Sequence, residues 1–283
     1  MRFLISFALV WWACVTPATA AAMQPINNWD VDYGDTQCTA ARSFGDANDP
    51  VVLGIVPSLD GETYKLIVSV QRTGPRFAQE MQGTVDLGQD KIKTWLLHYG
   101  AKGVKMSAYQ LRISSAAIEQ ARQAAAVDLH SDNGIGFKFA LSDMPALLDA
   151  LHKCTADLRQ YWNMDEQAHP LKKEPVGDIR SVFRPDDYPT EALMKGQEGT
   201  VQYQLLVDEK GAVVGCDVRS QSGIALLDVV GCQVIQERVK FSPAINAQGA
   251  PVRVVVTTPP ISWRVAKPSP GAGPYLTGRR ISI

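Results

Sequence analysis

The side chains of this 283-residue chain that could do chemistry are few: four histidines, a Ser-Asp-Asn triplet and the cysteines. Ser131-Asp132-Asn133 matches one element of the serine β-lactamase pattern. That chemistry also needs an S-x-x-K nucleophile and a K-T-G strand, and the chain has neither. An Asn133-Gly134 turn, where glycine takes a positive φ cheaply, explains the triplet instead. His98 falls in a strand pattern, His130 beside the turn, His152 on the polar side of a helix, and His169 in a proline-containing charged segment. A histidine acts as a general base only with its partners in hydrogen-bond reach. A fold that joined His98 to Asp128 or Asp132 would make such a pair. No G-x-S-x-G, P-loop or H-E-x-x-H is present. The residues therefore assign no catalytic group, no metal site and no cofactor. Arg42, Arg72 and Arg76 read either as a basic patch or as solvated surface.

The cysteines point elsewhere. The N-terminus, MRFLISFALVWWACVTPATAAAM, has one positive charge, an apolar run from Phe3 to Val15 and the small-x-small sequence Ala18-Thr19-Ala20, the pattern of a cleaved signal peptide over residues 1–22. The alternative is an uncleaved inner-membrane anchor, against which Pro17 and the Thr/Ala tail argue. A lipoprotein reading of Cys14 is opposed by Trp11 and Trp12. Cleavage leaves Cys38, Cys154, Cys216 and Cys232 in an exported protein, where an even count reads as disulfides. Four cysteines allow three pairings, and no C-x-x-C spacing supports zinc or thioredoxin-type chemistry. Lys+Arg 28 against Asp+Glu 29 leaves no basic excess, which disfavours nucleic acid as a partner.

The elements that must position these residues form an α+β pattern in two expected domains. Residues 23–162 show β-branched and aromatic runs at 30–33, 51–56, 64–70, 92–99, 105–113 and 136–141 between turn signals. A helix is predicted from Ser114 through the Ala-rich stretch to Val127. A second, 142–162, has Ser142 as N-cap and buries Met144, Leu147, Leu148, Leu151, Cys154, Leu158, Tyr161 and Trp162 on one stripe. Cys154 on that stripe and Cys38 after the first strand make a bridge worth about 4 kcal/mol by loop closure. Residues 163–186, charged and with three prolines, predict a linker. Thereafter 200–208 alternates Val201, Tyr203, Leu205 and Val207, and 212–219 returns with Val214, Cys216 and Val218 inward. A helix over 226–238 follows, and 252–257 is a last strand: β-β-α-β. Cys232 on the helix faces Cys216 on the strand. The Pro/Gly-rich segment 266–283 predicts a disordered tail.

Residues Tyr188-Pro189, Ala192, Gly196, Gly199-Thr200-Val201, Val207-Asp208, Gly211, Ser222-Gly223, Leu227-Asp228, Phe241-Ser242-Pro243-Ala244, Gly249, Pro251-Val252 and Trp263 resemble the C-terminal domain of TonB family proteins. The resemblance covers 187–265 and implies a periplasmic module that binds a short peptide of an outer-membrane receptor by strand addition. The matching edge is the last strand: Val252, Arg253, Val254, Val255 and Val256. Asp228, in the first turn of the helix, is read as a dipole-favoured cap rather than an active-site acid; Asp217 carries no assigned role. A TonB energy transducer has an uncleaved N-terminal helix and a long proline-rich spacer. Here the leader is cleavable and a folded region replaces the spacer. The expected function is therefore a periplasmic protein- or peptide-binding module, with a membrane-anchored transducer as the alternative if the leader is retained, and an enzyme in the first domain as the third.

Overall fold

The computed structural model describes residues 21–100, 103–164 and 170–265. The first twenty residues of the leader and the tail from 266 lie outside the described residues, as does His169. The N-terminal unit runs β1 (Asp30–Tyr33), β2 (Cys38–Asp46), β3 (Asp49–Pro57), β4 (Thr63–Val70), β5 (Gln79–Asp86), β6 (Lys91–Gly100), β7 (Ser107–Ser114), α1 (Ser115–Glu119), β8 (Ala126–Ser131), β9 (Gly136–Ala140) and α2 (Met144–Tyr161). The nine strands form one antiparallel sheet in the order β1-β2-β3-β4-β7-β6-β5-β8-β9. The reason is period-two burial. In β4, Tyr64, Leu66, Val68 and Val70 are buried while their neighbours are half-buried. On the core face α2 lays down Leu147, Leu148, Leu151 and Cys154, and Cys154 is bonded to Cys38 at a Cα separation of 6.0 Å.

Three strands escape the sequence pattern. In β2 the buried register is Cys38, Ala40, Arg42 and Phe44, and the cation hides it. Arg42 is satisfied inside: Nε donates to the Asn27 carbonyl at 2.7 Å, Nη1 to Ser142 Oγ at 2.8 Å, and the guanidinium lies over Trp29. Arg42 thus belongs to the core and not to a basic patch. β5 is mostly polar, and only Gly83 and Val85 are fully buried in it. The predicted Ala-rich helix ends at Glu119, with a 3₁₀ turn to Arg122. Val127, Leu129 and Ser131 are then buried alternately as β8, because pairing with β5 overrides the helix propensity of alanine. Ser142 does not cap α2. Asp143, at φ 62, occupies that position, and the Ser142 hydroxyl is taken by Arg42. Tyr161 is 38% exposed rather than part of the buried stripe.

The C-terminal unit runs β10 (Leu171–Lys173), β11 (Val176–Gly177), α3 (Thr190–Met194), β12 (Gly199–Val207), β13 (Val213–Ser220), α4 (Ala225–Arg238), β14 (Phe241–Ser242), β15 (Ala244–Asn246), β16 (Pro251–Val252), β17 (Val254–Thr257) and β18 (Ile261–Trp263). The expected linker is structured from Leu171. β10 pairs with β15, β11 with β14, and Ile179 is buried in the second core. The main sheet is β13-β12-β17, and β18 pairs with the start of β12. Val201, Tyr203, Leu205 and Val207 face a core that includes Leu227 and Ile235 of α4. Cys216, opposite Leu205, is bonded to Cys232 of that helix. α4 approaches β12 closely because residue 231 is glycine; a Cβ there would overlap the Tyr203 hydroxyl. Val214 is 40% exposed, against the inward placement expected for it. A register shift between Leu206 and Val207 turns Val213 inward instead.

Candidate partner-binding edge

β12 is buried on both faces. The face away from α4 presents Gln204 and Leu206, 4% and 5% exposed, to the N-terminal unit, and Leu206 joins that unit's core. On the same face Asp217 of β13 meets the big sheet. Its Oδ1 accepts from Arg112 Nη2 of β7 at 2.8 Å and lies 3.6 Å from Lys65 Nζ of β4. Burial opposes ionisation of Asp217, but Lys65 and Arg112 outweigh it and hold the carboxyl below the usual range. Burial pushes Lys65 itself down, and Arg112 makes the closer contact of the two. A second junction lies at the start of α4, where Glu80 Oε2 of β5 accepts from the Leu226 N–H at 3.1 Å. Asp228 is buried and accepts from the Ser222 N–H at 2.9 Å, which fixes the turn into the helix. Burial raises both of these carboxyls above the usual range.

The expected edge strand is divided. Val252 pairs with Ala244 in β16, while Val254, Val255 and Val256 belong to β17 on β12. Arg253 separates them. Its carbonyl accepts from Asn163 Nδ2 at 2.6 Å, its guanidinium stacks 4.2 Å from the Tyr161 ring centroid, and Nη2 lies 2.9 Å from Glu209 Oε1. The end of α2 thus holds the beginning of β17. Asn163 is held there by its backbone: it adopts φ 55 just past the helix, a conformation Asn tolerates well. Glu80, Arg112 and Lys65 left no local trace in the sequence, and Tyr161 was legible only as a member of the α2 stripe.

The alternation along β17 follows from one hydrogen bond. Thr258 N–H donates to the Tyr203 carbonyl at 2.9 Å, and the register pairs Leu205 with Val256 and Val207 with Val254. Backbone groups of an antiparallel strand alternate sides. Val254 and Val256 therefore turn theirs to β12, and Val255 and Thr257 turn theirs outward. Among the described residues no strand pairs with that outer side.

His98 and Asp128 are not brought together, and the Asp132 N–H donates to the Gln82 carbonyl of β5. His98 Nε2 is 2.6 Å from Ser107 Oγ and the ring stacks on Tyr109 at 4.2 Å. Along β5, His98 pairs with Gln79 and Asp128 with Asp86, some seven residues or roughly 23 Å apart. Asp128 lies near His130 and Lys138. Ser131 closes the β8–β9 turn, its carbonyl accepting from the Gly134 N–H at 3.1 Å. Among the described residues no cluster of three His, Cys, Asp or Glu could hold a metal, and no helix is long and apolar enough to cross a membrane.

No curated protein and no solved structure matches the chain. Residues 184–265 match the family described as Gram-negative bacterial TonB protein C-terminal, a transport-related domain of the envelope whose members interact with proteins such as outer-membrane receptors. The unit that holds β12, β13, α4 and β17 is therefore a TonB-family C-terminal domain.

Proposed function

We propose that this is a periplasmic TonB-like protein of two domains that binds an extended segment of a partner, such as an outer-membrane receptor, by adding it as a strand to the outer side of β17. The observation that carries the reading is the edge itself: among the described residues β17 is paired only with β12, and Val255 and Thr257 offer outward N–H and C=O groups. Asn163 already occupies the Arg253 carbonyl, so an added strand pairs from Val255 onward. Two outward residues provide at most four hydrogen bonds, each contributing roughly 1 kcal/mol net. Side-chain contacts of the partner must supply the rest of the affinity. No enzymatic step is assigned to the N-terminal domain, where His98 and Asp128 stand apart. Its contacts with β12, β13 and α4 make it a folded support for the edge rather than a proline-rich spacer.

The test is amide chemical-shift mapping during titration with a peptide from the periplasmic terminal segment of an outer-membrane receptor. Perturbations centred on Val255 and Thr257 are expected; perturbations confined to the far sheet edge, β13, would overturn the assignment. The apolar run 3–15 favours a second reading, an anchored energy transducer. N-terminal sequencing of the protein from the cell envelope separates the two: a start near Ala21 supports the periplasmic form and an intact Met1 the anchored one.

A further inference from the structure

One end of the nine-stranded sheet carries an apolar, cationic tip. The loop from β4 to β5, residues 71–78, lies on the β6–β7 hairpin: Gly74 meets the Gly100 backbone so closely that a Cβ on Gly74 would overlap it. These two loops hold out Phe77 and Val104, 73% and 59% exposed, with Met106 at 39%. The Arg76 guanidinium sits 5.3 Å from the centroid of the Phe77 ring, and Arg72 and Lys105 are exposed beside them in sequence. Neither 71–78 nor 101–106 contains an acidic residue, although the whole chain has a net charge of −1. The next acid along the chain, Glu80, is committed to the Leu226 N–H.

We propose that this tip docks the protein onto an anionic lipid surface, Phe77 and Val104 entering the headgroup layer while Arg72, Arg76 and Lys105 meet lipid phosphates. Exposed apolar side chains rimmed by cations have the composition of an interfacial anchor, and each Lys or Arg close to an anionic leaflet adds attraction. An acidic protein fits less well. The tip lines neither the cleft at the domain junction nor the one beside Asp86, so neither cavity offers a protein partner a pocket there. Gly74 contacts Gly100 at the end of β6, and Val104 precedes β7 on the same end of the sheet, so both apolar residues are carried there.

The experiment is co-sedimentation of the chain beginning at Ala21 with vesicles of phosphatidylcholine, with and without phosphatidylglycerol. Starting at Ala21 keeps the apolar leader out of the measurement, and both described units lie within that chain. Binding is expected only with phosphatidylglycerol. Arg72→Gln with Arg76→Gln lowers partitioning roughly 25-fold, and Phe77→Ser with Val104→Ser lowers it about tenfold or more. Thermal midpoints are expected to match the unsubstituted chain, since all four residues are exposed. Failure to bind phosphatidylglycerol vesicles overturns the proposal, as do variants that bind as well as the parent. Binding to a poly-glutamate peptide but not to vesicles overturns it too and assigns the tip to an acidic protein. Displacement by inorganic phosphate beyond that by sodium chloride of equal ionic strength overturns it in favour of a free-phosphate site.

Discussion

Arg112 of the large sheet and Asp217 of the TonB-family domain meet at 2.8 Å across the junction, with their side chains 13% and 19% exposed. Removing the carboxylate leaves Arg112 and Lys65 facing each other without a counter-charge. Asp217→Asn is expected to destabilise the protein by roughly 2–4 kcal/mol, at or below the range for breaking a buried pair because the site still meets some water. Urea unfolding measures this, and Arg112→Met combined with Asp217→Leu is expected to recover most of the loss. The depressed carboxyl also sets a pH sign. Its contribution is complete above the unfolded value of about 4 and is lost as pH falls through the lower folded value.

Glu80 carries the opposite sign. Burial lifts it above the usual range despite its hydrogen bonds to the Leu226 and Ala225 N–H groups, and burial lifts Asp228 likewise. Stability from such groups is complete below about pH 4 and declines as pH rises through their folded values. Glu80→Gln is therefore expected to flatten the decline of unfolding free energy between mildly acidic and neutral pH. Identical slopes for the two proteins would refute the assignment.

The alternation of β17 predicts two different outcomes from one type of substitution. Thr257→Pro removes an outward N–H at an exposed position, so folding is retained within about 1 kcal/mol while partner binding drops. Val256→Pro removes an N–H directed at β12 and is expected to cost about 3 kcal/mol or more in stability. Equal effects on stability would mean that the strand register is wrong.

Gly231→Ala is expected to destabilise by about 1–3 kcal/mol, since the new methyl meets the Tyr203 hydroxyl in a filled core. Tyr203→Phe removes that oxygen together with its 3.3 Å bond to the Leu227 carbonyl. The double variant should be more stable than Gly231→Ala alone. A thermal melt series decides it.

Period-two patterns such as Tyr64, Leu66, Val68 and Val70, or Val201, Tyr203, Leu205 and Val207, were legible in the sequence because alternation along one strand requires no knowledge of neighbours. So was the α2 stripe, with Cys154 on it, and the TonB-family pattern of turns. β2 and β8 were not legible. One buries an arginine whose partners, Asn27 and Ser142, lie in other segments, and the other begins in alanines whose helix propensity loses to pairing with β5.

Local chemistry along the chain determined the α+β class, the β-β-α core of the C-terminal domain and the existence of a valine-rich strand after it, though not that β18 follows that strand. It could not decide that β12 is covered on both faces, that Asp217 bonds to Arg112, or that Glu80 caps α4 from 146 residues away. Those contacts depend on where two hydrophobic faces come to rest against each other. The division of the edge strand at Arg253 has the same origin. Only the folded position of the α2 end places Asn163 on that carbonyl, and only pairing with β12 turns Val255 and Thr257 outward.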